Sequence, residues 1–173
     1  FYTYIATLKQ LLELGKPVIV LDRPNPLGGS IVEGTILPPS LESFVGPGGL
    51  PVRYGLTIGE LAFWMQHHYR LCGELGIVEL SGYGRSSLWQ QTGRPWTMTS
   101  PALSHVEAVF LYAGFCLFEG TNLSEGRGTS APFELFGAPF IDPWKLASEV
   151  AKLGLTSVVF TPISFIPGQS KHQ

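Results

Sequence analysis

Gly15-Lys-Pro-Val-Ile-Val-Leu-Asp22 sets the architecture of this chain. Its centre, Val18-Ile-Val-Leu21, is a short aliphatic, mostly β-branched run that reads as a buried strand ending at Asp22. Before it, Phe1, Tyr4, Ile5, Leu8, Leu11 and Leu12 recur at helical spacing until Gly15 and Pro17 stop the pattern. A helix running into such a strand is one step of a parallel βαβ array. The predicted class is therefore α/β, a Rossmann-like layered sheet with flanking helices.

Later segments repeat the step. Thr57-Ile-Gly-Glu60 has the form of a capping box and predicts a helix to about Cys72, stopped by Gly73. Ile77-Val-Glu-Leu80 is the next predicted strand, and Ser104-His-Val-Glu107 is a second box opening a short helix. The uncharged run Ala108 to Phe118 follows and reads as a buried element. Asp142-Pro143 starts a helix that Gly154 closes, and Ser157-Val-Val-Phe160 is expected as a last strand. Residues 23–51 lose all periodicity under dense glycine and proline, which predicts a long loop or small insertion with at most a short helix near Leu41 to Phe44. No internal repeat is visible, and residues 1–173 are read as a single α/β domain.

Composition narrows the function classes. With 45% apolar and 14% charged residues the chain is expected to fold around a core. A net charge of -2 with dispersed basic residues argues against nucleic acid as a partner. The Ala108 to Phe118 run is far shorter than the roughly 20 residues a membrane helix needs. Cys72 and Cys116 fit neither a redox pair nor a zinc spacing and read as two buried thiols. His67 and His68 are adjacent on a predicted helix and point in different directions, so no metal site is read there. Nucleotide-binding glycine motifs and a Gly-x-Ser-x-Gly elbow are both absent from the sequence.

The chemistry concentrates in Cys116-Leu-Phe-Glu-Gly-Thr-Asn-Leu-Ser-Glu-Gly-Arg-Gly-Thr129. Gly120, Gly126 and Gly128 allow close backbone approach, while Thr121 and Asn122 offer hydroxyl and amide partners to a ligand. Glu119 and Glu125 supply two carboxylates, the usual requirement for cleaving a glycosidic bond, so they are the candidate catalytic pair. The same spacing also fits an acid simply paired with Arg127. Trp89 and Trp96 flank a Gly-Arg-Pro loop and offer a sugar-stacking face as an alternative to core packing.

Read together with Leu21-Asp-Arg-Pro-Asn-Pro-Leu-Gly-Gly29, Ser43-Phe-Val-Gly46, Arg53-Tyr-Gly-Leu-Thr-Ile-Gly-Glu-Leu-Ala62, Pro132-Phe-Glu-Leu-Phe-Gly-Ala-Pro139 and Ser170-Lys-His172, this loop resembles the bacterial exo-β-N-acetylmuramidase family of glycoside hydrolases, long known only as a domain of unknown function. The resemblance runs over nearly the whole chain. It implies release of terminal N-acetylmuramic acid from the non-reducing ends of peptidoglycan fragments, with no metal or organic cofactor and an exported parent protein. Family members carry a Pro-Glu-His-Gly motif upstream of the segment matching Phe1 and continue beyond the Ser-Lys-His block. The chain is accordingly expected to be an internal fragment, incomplete at both ends and lacking the motif's glutamate, which the resemblance implies is a principal catalytic group; activity of the fragment itself stays open. The alternative reading is a non-catalytic carbohydrate-binding or lipoprotein module of the same fold; oligomeric state stays open.

N-acetylmuramic acid carries a lactyl carboxylate, and arginine is the best bidentate partner for one. Arg127 and Arg23 are the first candidates, with Lys171 and Arg53 behind them. Asp22, Asn25 and Glu33 lie just past a strand end, where open α/β folds gather ligand-binding side chains, although Asp22 and Asn25 equally suit turns around Pro24 and Pro26. Tyr2 is expected to line the pocket and Tyr4 to pack in the core. His172 follows Lys171 and is a candidate substrate contact, as the resemblance implies.

Overall fold

The computed structural model describes residues 2–46 and 48–168. Lys171 and His172 lie outside the described residues. The chain was read from sequence as one domain; its contacts gather into two compact units, 1–95 and 96–173, and each is described by itself.

In the N-terminal unit, helix α1 (Tyr2–Glu13) buries Ile5, Leu8 and Leu12 along one stripe. It stops where expected, and the reason is geometric. Gly15 takes φ +66, its N–H donates to the Leu12 carbonyl and the Lys16 N–H donates to the Leu11 carbonyl, the paired bonds of a Schellman motif. Strand β1 (Val18–Leu21) follows. It pairs in parallel with β4 (Leu75–Val78), Val18 opposite Leu75 and Leu21 opposite Val78. Between them in sequence lies helix α2 (Ile58–His68), which makes β1, α2 and β4 a βαβ unit and the fold α/β. Helices α1 and α2 meet over one face of this sheet, where Val20 joins Leu61, Ala62 and Met65 in the core.

The strand expectations need two corrections. Only Val20 of β1 is buried; Ile19 and Leu21 are 72% and 66% exposed, because among the described residues the helices cover a single face. The second strand lies two residues earlier than read, at 75–78, since pairing with β1 and not local composition fixes its register.

Helix α2 begins with the expected reciprocal box: the Thr57 hydroxyl accepts from the Glu60 N–H, and the Glu60 carboxylate accepts from the Thr57 N–H. It ends at His68, short of Cys72. Arg70 adopts φ +53, and the Arg70 and Leu71 N–H groups close onto the His67 and Gln66 carbonyls, so an arginine takes the left-handed position that usually falls to glycine. Gly73 is required for another reason. A Cβ there would sit 2.7 Å from the Leu12 Cα, against α1.

Residues 23–51 are not one featureless loop. Strand β2 (Glu33–Ile36) pairs antiparallel with β3 (Pro51–Arg53) through an irregular register, and a 3₁₀ turn spans Pro39–Leu41.

The C-terminal unit is built on helix α3 (Val106–Phe115), continued by a 3₁₀ turn (Cys116–Gly120). This is the apolar run, and it is less buried than its composition suggested: Ala108 is enclosed while Leu117 is 65% exposed. The predicted box does not cap α3; His105 is the N-cap and no side chain bonds to the first turn. Helix α4 (Pro143–Ala151) starts as read, with the Asp142 carboxylate accepting from the Trp144 and Lys145 N–H groups. Residues 157–160 form no strand. They pair with no described strand, and Val159 is 89% exposed.

Burial pushes the Tyr54 hydroxyl up to about 12, with the neighbouring Tyr2 adding to the rise. The folded state therefore holds this proton where the unfolded chain, near its ordinary value of 10.0, has lost it. The associated stability is complete below pH 10 and is lost as pH climbs towards 12. Tyr54→Phe cannot ionise, so its unfolding free energy should fall less than wild type's across that window, by on the order of 2 kcal/mol, and its thermal midpoint should fall less steeply. Parallel midpoint-against-pH curves for the two proteins would refute the assignment.

Candidate functional site

The C-terminal unit brings together three of the predicted residues. Arg127 is shared by two acids: its Nη2 donates to Glu119 Oε1 at 2.9 Å, and its Nε lies 3.2 Å from Glu125 Oε1. Glu125 is buried at 3% exposure, whereas Glu119 and Arg127 are each about two-fifths exposed. One acid is thus fixed inside and the other reaches solvent. The backbone explains why the arrangement holds. Gly126 takes φ +79, and a Cβ there would meet the Leu135 carbonyl oxygen at 2.6 Å, so only glycine fits the turn between Glu125 and Arg127. The Thr129 hydroxyl donates to the Gly126 carbonyl at 2.6 Å, and Ser124 and Gly137 exchange backbone bonds at the base of the loop.

Thr121 and Asn122 behave differently from the acids. The Thr121 hydroxyl donates to the Phe118 carbonyl and accepts from the Leu123 N–H, forming a local turn. Asn122 is exposed beside it. Cys116 is half-buried and Cys72 exposed, which corrects the expectation of two buried thiols. Burial first, and the nearby Glu119 charge second, push the Cys116 thiol up, away from nucleophilic use.

At the carboxyl end of β1 in the N-terminal unit, the sequence candidates divide by role. Asp22 Oδ1 accepts from the Gly59 N–H at 2.7 Å and the Arg23 N–H at 2.8 Å, while Oδ2 accepts from the Thr57 hydroxyl at 2.9 Å. The carboxylate is turned onto the N-terminus of α2, where the helix dipole favours it. Gly59 permits the approach, since a Cβ would lie 2.9 Å from the Asp22 Cγ. Asn25 forms the Asx-turn considered from sequence, accepting from the Leu27 N–H and donating to the Leu56 carbonyl. Arg53 bonds to Glu33 and to the Leu27 carbonyl, which ties down the hairpin. Tyr2 is half-buried, its ring 6.4 Å from that of Phe44. Arg23 is exposed, and its guanidinium has no ion pair among the described residues.

These features define an α/β protein whose C-terminal unit carries a loop of two carboxylates bridged by one guanidinium. Comparison with known proteins makes the class specific: the chain belongs to the exo-β-N-acetylmuramidase NamZ family, with residues 1–107 matching its N-terminal part and 110–173 its C-terminal part. It is 44% identical, over all of its length, to the peptidoglycan β-N-acetylmuramidase NamZ of Bacillus subtilis strain 168, of which it spans 43%. Two crystal structures of DUF1343 family proteins from Bacteroides fragilis NCTC 9343 are also similar. One is 34% identical with a TM-score of 0.89, covering 99% of this chain and 46% of that protein. The other is 33% identical with a TM-score of 0.72, covering 80% and 40% respectively. The chain therefore spans less than half the length of each of these relatives.

Sequence reading missed Arg85, whose guanidinium bonds Glu60 and donates to the Gly29 and Gly55 carbonyls at 3.0 and 2.9 Å. Nothing local marked it; only the glycine pairs facing it did. It also missed Phe133, whose ring lies 5.0 Å from the Arg127 guanidinium. Asp22→Ala should cost about 2–4 kcal/mol of stability, from charge-assisted bonds lost at the start of α2, with Asp22→Asn closer to wild type. Chemical denaturation checks this. An unchanged midpoint in Asp22→Ala would return the residue to the substrate.

Proposed function

We propose that this chain is part of a glycoside hydrolase that removes terminal N-acetylmuramic acid from the non-reducing ends of peptidoglycan fragments. Family membership supports the substrate class, and the observation that carries the chemistry is the Glu119–Arg127–Glu125 cluster in one glycine-closed loop. Two acids against one base leave the cluster with net negative charge when all three are ionised. Such a group stabilises the positive charge that develops on the sugar as a glycosidic bond breaks.

In this reading exposed Glu119 meets the substrate, buried Glu125 contributes a fixed negative charge, and Arg127 orients both. Thr121 and Asn122 lie next to Glu119 in sequence and contribute polar contacts to the sugar. Arg23, exposed and without an ion pair among the described residues, is the candidate guanidinium for the lactyl carboxylate, and Tyr2 stays a candidate lining residue. Asp22 and Asn25 act by shaping the loop that carries Arg23. Lys171 and His172 remain candidate contacts from the family resemblance. Peptidoglycan lies outside the cytoplasmic membrane, so the parent protein works as an exported enzyme; among the described residues no helix is long and apolar enough to cross a membrane.

The full-length parent should release a reporter group from a β-muramide and not from the matching β-glucosaminide. Glu119→Gln and Glu125→Gln should each lower turnover by at least about tenfold, within the range of general acid–base and charge effects. Wild-type rates in both variants would remove the site assignment. Equal rates on the two sugars would remove the substrate.

A further inference from the structure

Phe133 adopts a backbone that its residue type disfavours. It sits at φ +66, in the left-handed region where a Cβ is crowded, yet its side chain is 1% exposed. Strain of this kind persists only where surrounding contacts over-determine it, and it collects at functional sites. The contacts here are specific. The Phe133 N–H donates to the Glu125 carbonyl at 2.7 Å, and the ring lies under the Arg127 guanidinium at 5.0 Å from its centroid. One strained residue thus touches the main chain of the buried acid and the side chain of the bridging base.

Helix α3 holds that residue from two places. The Tyr112 ring meets the Phe133 ring edge-on at 4.8 Å and 75°. At the N-cap, just before the first helical residue, His105 Nε2 lies 2.7 Å from Glu134 Oε1, and its Nδ1 lies 2.9 Å from the Ser104 hydroxyl. The turn is closed locally by the Glu134 N–H donating to the Ala131 carbonyl.

We infer that Phe133, clamped by Tyr112 and by the His105–Glu134 pair, is a positioning residue that holds the Arg127 guanidinium between Glu119 and Glu125. The inference deepens the proposed site and rests on that reading for its link to turnover, but not for its geometry. A guanidinium lying over an aromatic face loses freedom to swing while keeping its edge for hydrogen bonds. One Arg127 N–H donates to Glu119 while its Nε lies 3.2 Å from Glu125 Oε1, and the ring beneath adds a further restraint on its orientation. Neither Phe133, Glu134 nor His105 needs to touch substrate.

The test uses the full-length parent labelled with ¹⁵N-arginine, with the Arg127 Nε–H resonance assigned by its loss in Arg127→Lys. Phe133→Leu and His105→Ala should each speed solvent exchange of that proton by at least about tenfold and lower kcat on a β-muramide by a similar factor, with KM changing less than threefold. His105→Gln, which can still donate to Glu134, should restore both. Should Phe133→Leu fail to fold, Glu134→Ala, which removes the acceptor for His105, provides the milder perturbation and the same expected direction. Wild-type exchange in folded Phe133→Leu and His105→Ala, or in Glu134→Ala, would overturn the inference whatever the activity. Faster exchange with unchanged kcat would uphold the positioning role and instead sink the catalytic reading of the Glu119–Arg127–Glu125 cluster.

Discussion

The N-terminal unit depends on the Asp22 carboxylate closing onto the start of α2. The bonds to Thr57 and Gly59 span 35 and 37 residues of sequence and join the end of β1 to the helix that returns towards β4. Without them the parallel crossover would rest on the β1–β4 ladder and on apolar packing of Val18, Val20, Leu75 and Ile77 with the two helices. The same contact has a chemical consequence. Helix N-termini at the carboxyl end of a parallel strand are ready anion sites, and here the chain fills that site with its own acid. A ligand carboxylate approaching this edge finds the α2 dipole already satisfied. The exposed Arg23 guanidinium, next in sequence, remains available.

A similar economy governs the glycine- and proline-rich stretch after β1. It contributes little to the main core and is held by polar ties instead. Arg85 reaches the Gly29 and Gly55 carbonyls and the Glu60 carboxylate, and Arg53 reaches Leu27 and Glu33. Glycine is what allows the contact: a Cβ on Gly29 would sit 2.8 Å from the Gly55 carbonyl oxygen. Each exposed ion pair is worth little by itself, roughly 0 to 1 kcal/mol. The carbonyl bonds add direction, because a guanidinium fork fixes several strands of chain at once.

How much of this was legible follows from the range of each interaction. Local signals read well: the Thr57 box, the Gly15 stop and the Asp142-Pro143 start all appear where the sequence put them. Signals that need a distant partner read poorly. The second strand slid by two residues because β1 sets its register, and residues 157–160 have strand composition but pair with no described strand. At the candidate site, the acids and Arg127 were visible because they crowd one loop. Phe133, Glu134 and His105 were not, since a phenylalanine at positive φ leaves no trace in composition and a histidine 29 residues from its acid leaves none in spacing.

The charge balance of the cluster decides which kind of ligand group it suits. At about 4 Å and an effective dielectric near 20, one pair of unit charges interacts by roughly 4 kcal/mol. An anion brought equally close to all three groups gains one such attraction from Arg127 and suffers two repulsions from Glu119 and Glu125. A developing cation has the opposite balance, with two attractions and one repulsion. Solvent weakens each term at exposed Glu119 and Arg127 and leaves buried Glu125 the least screened. The arrangement therefore favours a positively charged ligand group over a carboxylate. Arg127 holds two like charges together, which without it would repel one another out of position.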